Sequence, residues 1–99
     1  MKFNIVDGIF YEPIDVTANH TANENEFVSC DSSGGTFTVS LPLAPVKGEK
    51  IDITKIDNSI NPITIDGNGN NILGDASIQI TVQDESVTLV FNGTEWKVN

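Results

Sequence analysis

The sequence predicts an all-β fold: a compact antiparallel β-sandwich, or a β-prism or barrel-like domain of short strands, preceded by an N-terminal arm. Three observations predict it. The β-branched residues Ile, Val and Thr supply thirty of the 99 residues, and these residues fit a pleated sheet. Apolar and polar residues alternate, and no window has the spacing of an amphipathic helix. Turn-forming residues separate the segments at intervals of about 8–12 residues, which is typical of sandwiches and barrels.

The N-terminal segment differs from the rest of the chain. Its apolar residues crowd into the first ten positions, Pro13 interrupts the pattern, and a polar stretch follows at 17–25. We therefore divide the chain into an arm at 1–13 and a single β domain at 14–99. The arm either attaches the protein to a larger assembly or forms the first strand of the sheet. Its candidate partner-binding residues are Phe3, Ile5, Val6, Ile9, Phe10 and Tyr11.

Four segments of the β domain have the pattern of strands. Those at 36–41, 77–82 and 86–91 place an apolar residue at every second position with mostly polar residues between. Each is therefore expected to have one buried and one wet face. The segment at 26–31 precedes the first of them, across a turn at 32–35. The residues predicted to form the core are Phe37, Val39, Ile53, Ile65, Ile80, Leu89 and Trp96.

The remaining strands are less regular. The segment at 50–57 alternates at first and then slips by one position at Ile56. Because such a slip reverses the apolar face, we predict a β-bulge at Thr54–Lys55. The segment at 62–66 is short and begins with proline, at a position where a missing N–H costs least. Near the C-terminus, Asn92-Gly93 lies between two strand-like segments and predicts a hairpin with a type I′ turn.

The charge balance argues against several classes of function. Five lysines, no arginine and fourteen carboxylates give a net charge of −9, whereas nucleic-acid binding needs clustered cations. The same balance argues against attachment to an anionic membrane surface. Cys30 is the single cysteine, so it cannot form an internal disulfide, and one cysteine with one histidine nearly excludes a zinc or iron–sulfur site. We therefore expect no cofactor, no metal, no nucleic-acid partner and no membrane association.

One loop and two side chains could carry chemistry, but each has a plainer interpretation. The loop at 66–70 spaces oxygen ligands as calcium loops do, yet Asn71 stands where such a loop needs glycine. A tight turn is therefore favoured, with a cation site left open. His20 has no nucleophile beside it and fits a surface position. Cys30 falls within a predicted strand, where a free cysteine behaves as a small apolar residue. We expect no catalytic residue.

Two aromatic residues could stack on a sugar ring. Trp96 alternates with Val98 on a strand that follows the predicted hairpin, so packing in the core is the favoured interpretation. Tyr11, beside Glu12-Pro13, is left open between the two roles.

Four stretches of the chain, in a fixed order, resemble a module of bacteriophage virion proteins. They are DSSGGTFTVSLP at 31–42, GEKIDITKID at 48–57, NPITIDGNG at 61–69 and SVTLVFNGTEW at 86–96. The first is similar to the Gly-Gly turn and alternating strand found in such proteins. From about Ile14 to the C-terminus, the order and spacing of these stretches resemble the small β-structured module of tail-fibre, head-fibre and capsid-decoration proteins.

The resemblance implies a function and a location. Modules of this kind are non-enzymatic, associate as homotrimers, and cap, join or decorate larger assemblies. The expected protein is a capsid-decoration, head-fibre or tail-fibre component of the virion, made in the bacterial host cytoplasm. Its expected partners are its own copies and a major capsid protein or other phage head or tail proteins. The alternative is a receptor- or glycan-binding module at the tip of a phage appendage, with a host surface glycan as its ligand.

Overall fold

The structure is a computed structural model that describes residues 11–99, and within them it contains strands and no helix, as the sequence predicts. The strands are β1 (Glu12–Val16), β2 (His20–Thr21), β3 (Glu26–Cys30), β4 (Phe37–Ser40), β5 (Lys50–Lys55), β6 (Ile63–Asp66), β7 (Ser77–Ile80), β8 (Ser86–Phe91) and β9 (Trp96–Val98). This part of the chain thus has no helix that could cross a membrane.

Two sheets face each other, with the strand order β1-β3-β5-β8-β9 in sheet A and β2-β4-β6-β7 in sheet B. From β1 to β6 the chain alternates between the sheets, and we call this part the coil. Its strands are parallel neighbours within each sheet. After β6 the chain reverses, and β7, β8 and β9 add antiparallel strands. The coil therefore occupies one end of the sandwich and the antiparallel strands occupy the other.

The predicted β-sandwich is confirmed, but the expectation that its strands are antiparallel is wrong for every pairing within the coil. Alternation along a strand reports which face is buried, and it carries no information on the direction of the neighbouring strand. Parallel neighbours need a long connection between them. Here the strand in the opposite sheet, with its two flanking loops, is that connection.

Loops stack at the two opposite ends of the sandwich, where the strands begin and end. We call these two loop-bearing ends the first edge and the second edge. The first edge is made of the loops at 17–19, 31–36, 56–62 and 81–85, and the second edge is made of those at 22–25, 41–49, 67–76 and 92–95. Hydrogen bonds connect successive loops. At the first edge, the Ser32 N–H donates to Asp57 Oδ1 at 2.7 Å. At the second edge, Asn68 Nδ2 donates to the Leu41 carbonyl at 2.9 Å.

The inward faces of both sheets form one apolar core. All of the residues predicted for it are buried: Phe37, Val39, Ile53, Ile65, Ile80, Leu89 and Trp96. The core is continuous across sheet A because the strands are in register, with Val28 beside Ile53 and Ile53 beside Val87. The faces predicted from alternation are therefore confirmed at these positions. Val82 is an exception, since β7 ends at Ile80 and Val82 is exposed.

Strand β5 has no bulge, contrary to the prediction. Its register against β8 advances one residue at a time from Lys50 to Thr54. The inward positions therefore continue from Ile53 to Lys55, and this lysine is buried. The apolar Ile56, which suggested the slip, lies beyond the end of the strand and is exposed.

The predicted hairpin joins β8 and β9, but its turn is not of type I′. Phe91 pairs with Trp96, so the connection is longer than two residues. Asn92 lacks the positive φ that a type I′ turn needs. Its side-chain oxygen instead accepts hydrogen bonds from the N–H groups of Thr94 and Glu95, both at 2.9 Å, and these bonds stabilise the longer turn.

The first described strand includes two residues of the predicted arm. Glu12 and Pro13 belong to β1 and pair with β3. Proline is compatible with this position because β1 is an edge strand of sheet A. The candidate partner-binding residues Phe3, Ile5, Val6, Ile9 and Phe10 lie outside the described residues.

Candidate functional site

Tyr11 is the candidate partner-binding residue that the structure describes. Its hydroxyl donates a hydrogen bond to the carboxylate of Asp52 on β5, and the same carboxylate accepts one from the hydroxyl of Thr88 on β8. Partial burial and the negative charge of Asp52 raise the pKa of Tyr11. Tyr11 thus lies against the outer face of sheet A, next to the first residue of β1.

Exposed aliphatic side chains lie on the first edge at the level of β5 and β8. They are Ile56, Ile60 and Val82, and Ile60 is 92% exposed. The loops that carry them are joined because Gln83 Nε2 donates to the Ile56 carbonyl at 3.3 Å and the Asp84 N–H donates to the Lys55 carbonyl at 2.7 Å. We call these three side chains the first-edge aliphatic patch. Exposed apolar groups at neighbouring positions are typical of a contact surface.

Lysines lie together at the second edge of sheet A. Lys50 on β5 is beside Val90 on β8, and Val90 is beside Lys97 on β9. Lys47 precedes them in the 41–49 loop, and its side-chain stem lies close to Gly93. We call Lys47, Lys50 and Lys97 the lysine corner. Lys97 Nζ also donates to Glu95 Oε2 at 2.8 Å.

A buried polar network lies where the first-edge loops meet the core. Lys55 is 0% exposed, and its Nζ donates to Ser32 Oγ at 2.9 Å, to Asp57 Oδ2 at 2.8 Å and to Ser59 Oγ at 3.3 Å. The Asp57 carboxylate also accepts from the backbone N–H groups of Ser32 and Ser59, at 2.7 and 3.0 Å. The Ser32 hydroxyl is 2.8 Å from the Asn61 carbonyl that accepts its hydrogen bond. The network therefore joins the 31–36 loop to the 56–62 loop.

The network is suited to holding loops and not to catalysis. Burial alone would raise the pKa of Asp57, but hydrogen bonds from Lys55, Ser59 and two backbone N–H groups hold that pKa well below its ordinary value. Lys55 and the two serines are the residue types of serine–lysine hydrolases. However, the Lys55 ammonium is enclosed and donates to three acceptors, so a substrate cannot reach it.

Cys30 lies beside the network, and its thiol is held in the unreactive protonated form. It is buried and pairs with Lys55 across β3 and β5. Burial, followed by the negative charge of Asp57, raises the pKa of the thiol to about 12. Because the thiolate is the reactive form of cysteine, this position argues against a nucleophile.

We expect Cys30 to resist alkylation by iodoacetamide at pH 8 in the folded protein and to react at the ordinary rate in denaturant. Mass spectrometry of quenched samples measures both rates. The pKa of the thiol in the folded protein lies above the ordinary value of a cysteine, so the folded state keeps its proton to higher pH. The associated stabilisation is fully present below about pH 9 and is lost as the pH rises toward the folded pKa. A Cys30→Ala variant lacks this part of the pH dependence, and rapid alkylation in native buffer would contradict the assignment.

His20 and the loop at 66–70 both have structural contacts. His20 lies in β2, and its Nε2 is 2.9 Å from Glu26 Oε1, so the nearest charged group is a carboxylate and not a nucleophile. In the loop, Asn68 has a φ of 54° and its N–H donates to Asp66 Oδ2 at 3.2 Å. Its side-chain nitrogen donates to the Leu41 carbonyl at 2.9 Å. These contacts make a tight turn that is tied to the neighbouring loop.

Trp96, the other candidate sugar platform, lies in the core. Its side chain is fully buried, and its ring is 5.3 Å from that of Phe91 between centroids, at a tilt of 57°. Its backbone N–H donates to the Asn71 carbonyl at 2.8 Å. A buried ring cannot stack on a ligand in solvent, so the packing interpretation of Trp96 is confirmed.

An open groove lies on the first edge, between the 17–19 loop and the start of β4. Its volume is about 460 Å³, and Thr17, Asn19, Gly35 and Phe37 are among its lining residues. The walls are fixed by a hydrogen bond of 2.8 Å from the Thr38 N–H to Asn19 Oδ1. The lining combines polar side chains with the mostly buried ring of Phe37, a mixture typical of sites for small polar ligands.

Comparisons with known proteins give no relative for this chain. No protein-family model matches it, and no curated protein matches it. Residues 11–99 also contain no cluster of three or more histidine, cysteine or carboxylate side chains placed to hold a metal ion.

Proposed function

We propose that this chain is a non-enzymatic structural protein of a bacteriophage particle. In this role it is a small trimeric capsid-decoration, head-fibre or tail-fibre component that binds other virion proteins. The proposal rests on the four stretches that resemble phage modules. One structural observation supports it most directly. The Lys55 amine and the Cys30 thiol are enclosed in the core, where a substrate does not reach them. Aliphatic side chains such as Ile60 are instead exposed among the loops, where another protein can contact them.

Self-association is supported by the size and topology of the chain. A domain of about 100 residues buries roughly 65% of the surface that its unfolded chain exposes, so its stability alone is marginal. Among residues 11–99 the two sheets also have four edge strands, β1, β9, β2 and β7, and the outer backbone groups of edge strands need cover. Contacts between copies would cover part of this surface. Light scattering after gel filtration tests the trimer, and a monodisperse monomer at micromolar concentration would overturn it.

We further propose that the N-terminal arm attaches the trimer to the particle, by adding a strand to an open sheet edge of a partner. The expected result of deleting residues 2–10 is a protein that stays folded and trimeric but no longer binds virions depleted of it. One arm binds weakly because ordering it costs entropy, but three arms on one trimer act together through effective concentration. Sedimentation of the protein with depleted particles measures the loss.

The deletion leaves Tyr11, and with it the hydrogen bond to Asp52, in place. A full-length variant with Ile5→Asp and Ile9→Asp is the matched second test, since it keeps the chain length and replaces two apolar side chains of the arm. Both variants should lose particle binding and keep the circular dichroism spectrum of a β protein. If either variant unfolds, or if binding survives in both, the arm does not carry the attachment.

The second candidate function is a receptor- or glycan-binding module, and the groove at Asn19 and Phe37 is the observation that favours it. In that case isolated protein should bind host surface polysaccharide, and Asn19→Ala, which alters the polar rim, should weaken the binding at least tenfold. Unchanged binding in Asn19→Ala, or no binding by the intact protein, would exclude this groove as a glycan site.

A further inference from the structure

The distribution of charge restricts how copies of this chain can meet. Each copy carries a net charge of −9, so two acidic surfaces that come together repel each other. Of the four lysines within residues 11–99, Lys55 is buried, and the other three form the lysine corner. The accessible positive charge of the described chain is therefore concentrated at the second edge of sheet A, and a favourable contact between copies has to use it.

The opposite edge of the same sandwich offers a complementary surface. There the first-edge aliphatic patch is flanked by Asp84, which is exposed, and by Glu85, in the same loop as Val82. The lysine corner in turn has an apolar neighbour, Val46, whose side chain is 68% exposed. The first-edge patch thus combines aliphatic groups with carboxylates. The lysine corner combines an aliphatic group with Lys47, Lys50 and Lys97, and Lys97 is paired with Glu95 of its own chain.

Both surfaces lie at the same level of the sandwich. The first-edge aliphatic patch lies on the loop that follows β5 and on the loop that precedes β8. The lysine corner includes Lys50 on β5 and Lys97 on β9, the two strands that flank β8. A contact between two different surfaces of one chain is heterologous, and it forms a closed ring only if each copy is related to the next by rotation with no shift along the axis. Two complementary surfaces at one level need no shift along the axis, which a closed ring requires, and the number of three copies comes from the proposed trimer.

We propose that the first-edge aliphatic patch of one copy packs against the lysine corner of the next copy, and that three such contacts close the trimer. The occupant of each surface is a second copy of this chain. This inference rests on the proposed self-association, and it names the surfaces that carry it. In the ring, Ile60 and Val82 are covered by the neighbouring copy, and Asp84 and Glu85 face Lys47 and Lys50.

Charge-reversal variants test the contact. The variant Lys47→Glu/Lys50→Glu makes the corner acidic, and Ile60→Lys/Val82→Lys makes the patch basic; the side chains changed are not in the core. Each variant alone should sediment and scatter light as a monomer, a loss of two thirds of the mass. The chain with all four substitutions restores opposite charges across the contact and should return to a trimer at low ionic strength. Asp75→Lys, an exposed charge change in the 67–76 loop, is the matched control and should remain trimeric.

A mixture of the two variants distinguishes a ring from a two-fold dimer. In a mixture, a favourable contact forms only between unlike chains, and unlike chains cannot alternate around a ring of three. The expected equimolar mixture therefore yields no closed trimer. A single head-to-tail contact gives only a weak pair of unlike chains. A pair of unlike chains as stable as the unmodified oligomer makes both contacts at once, which shows a two-fold contact and overturns the ring.

The outcomes separate this inference from the proposed function. If the unmodified protein is a monomer, the proposed self-association fails. If the unmodified protein is a trimer and both reversed variants remain trimers, the proposed function stands and these two surfaces are not the interface. Circular dichroism and thermal melts of each variant show that the chain is folded. A reversed variant that unfolds is replaced by Lys50→Gln or Ile60→Ser, for which a tenfold rise in the trimer dissociation constant is expected and an unchanged constant overturns the contact.

Discussion

Asp57→Asn should lower the free energy of unfolding by about 3–5 kcal/mol, as expected when one partner of a buried ion pair is removed. The Lys55 ammonium would then remain in the core with two serine hydroxyls and no carboxylate. The substitution keeps the shape of the side chain, so the loss reports the charge and not a cavity. Urea unfolding at fixed protein concentration, followed by circular dichroism, measures it.

A double-mutant cycle gives this prediction its sharpest form. Lys55→Met removes the other partner. Asp57 then still accepts hydrogen bonds from backbone N–H groups and from the Ser59 hydroxyl, so Lys55→Met should lower stability by less than Asp57→Asn does. The double variant should cost much less than the two single variants added together, because it leaves no unpaired charge. Asp75→Asn, at an exposed position, is the control and should change stability by less than about 0.5 kcal/mol. Additive single effects would contradict the assignment.

The same network predicts how stability responds to acid. The folded pKa of Asp57 is held well below its ordinary value, so its contribution is present above the unfolded pKa of about 4 and is lost progressively as the pH falls below it. The gap in stability between the unmodified protein and Asp57→Asn should therefore narrow below about pH 4. Denaturant titrations between pH 7 and pH 2.5 measure the gap, and a constant gap would contradict the shifted pKa.

Trp96→Ala should cost about 3–5 kcal/mol, the range found for removing a buried tryptophan from a core. The ring packs on Phe91, and the backbone of Trp96 exchanges hydrogen bonds with Asn71 and Leu73 in the 67–76 loop. The cavity would therefore open where β9 and that loop meet the core. Chemical denaturation of the variant gives the change in midpoint.

Trp96→Phe is the matched control for this cavity. Within residues 11–99 the indole nitrogen of Trp96 has no hydrogen-bond partner. Phenylalanine therefore removes volume but breaks no hydrogen bond there, and the cost of Trp96→Phe should be clearly smaller. Thr94→Ala, at an exposed position in the adjacent turn, should be nearly neutral. Trp96 is the single tryptophan of the chain, so its fluorescence should be blue-shifted when folded and unaffected by added sugars. A sugar-dependent change of emission would contradict its burial.

Some features of the fold follow from local pattern, and others depend on partners that are distant in the sequence. The burial of Phe37, Val39 and Leu89 is predictable because alternation fixes which side chains share a face. The parallel direction of the coil is not, since β4 and β6 pair across a connection that includes a whole strand of the other sheet. No short window of sequence contains both members of that pairing.

The polar network explains why the sequence pattern near Lys55 gave a wrong prediction for the end of β5. Strict alternation from Ile51 through Ile53 assigns Lys55 to the inside, but the apolar Ile56 indicates a slip of one position, and that slip predicts a bulge. An unpaired lysine in a core is also costly. The partners that make the position acceptable are Ser32, from another loop, and Asp57. The acid two residues after the lysine was the available local signal, and Ser32 could not be foreseen without the fold.

Unequal loops on the second edge have a consequence for how this protein can change. The connections at 22–25, 41–49 and 67–76 become longer along the chain, yet each strand that they connect remains in register with its neighbours in its own sheet. Added length in one loop is therefore absorbed at the surface and does not displace the neighbouring layer. Exposed loops of this kind are where insertions and foreign peptides are tolerated. The sandwich can thus serve as a display scaffold, in which insertions at exposed positions of a second-edge loop leave the packed strands in place.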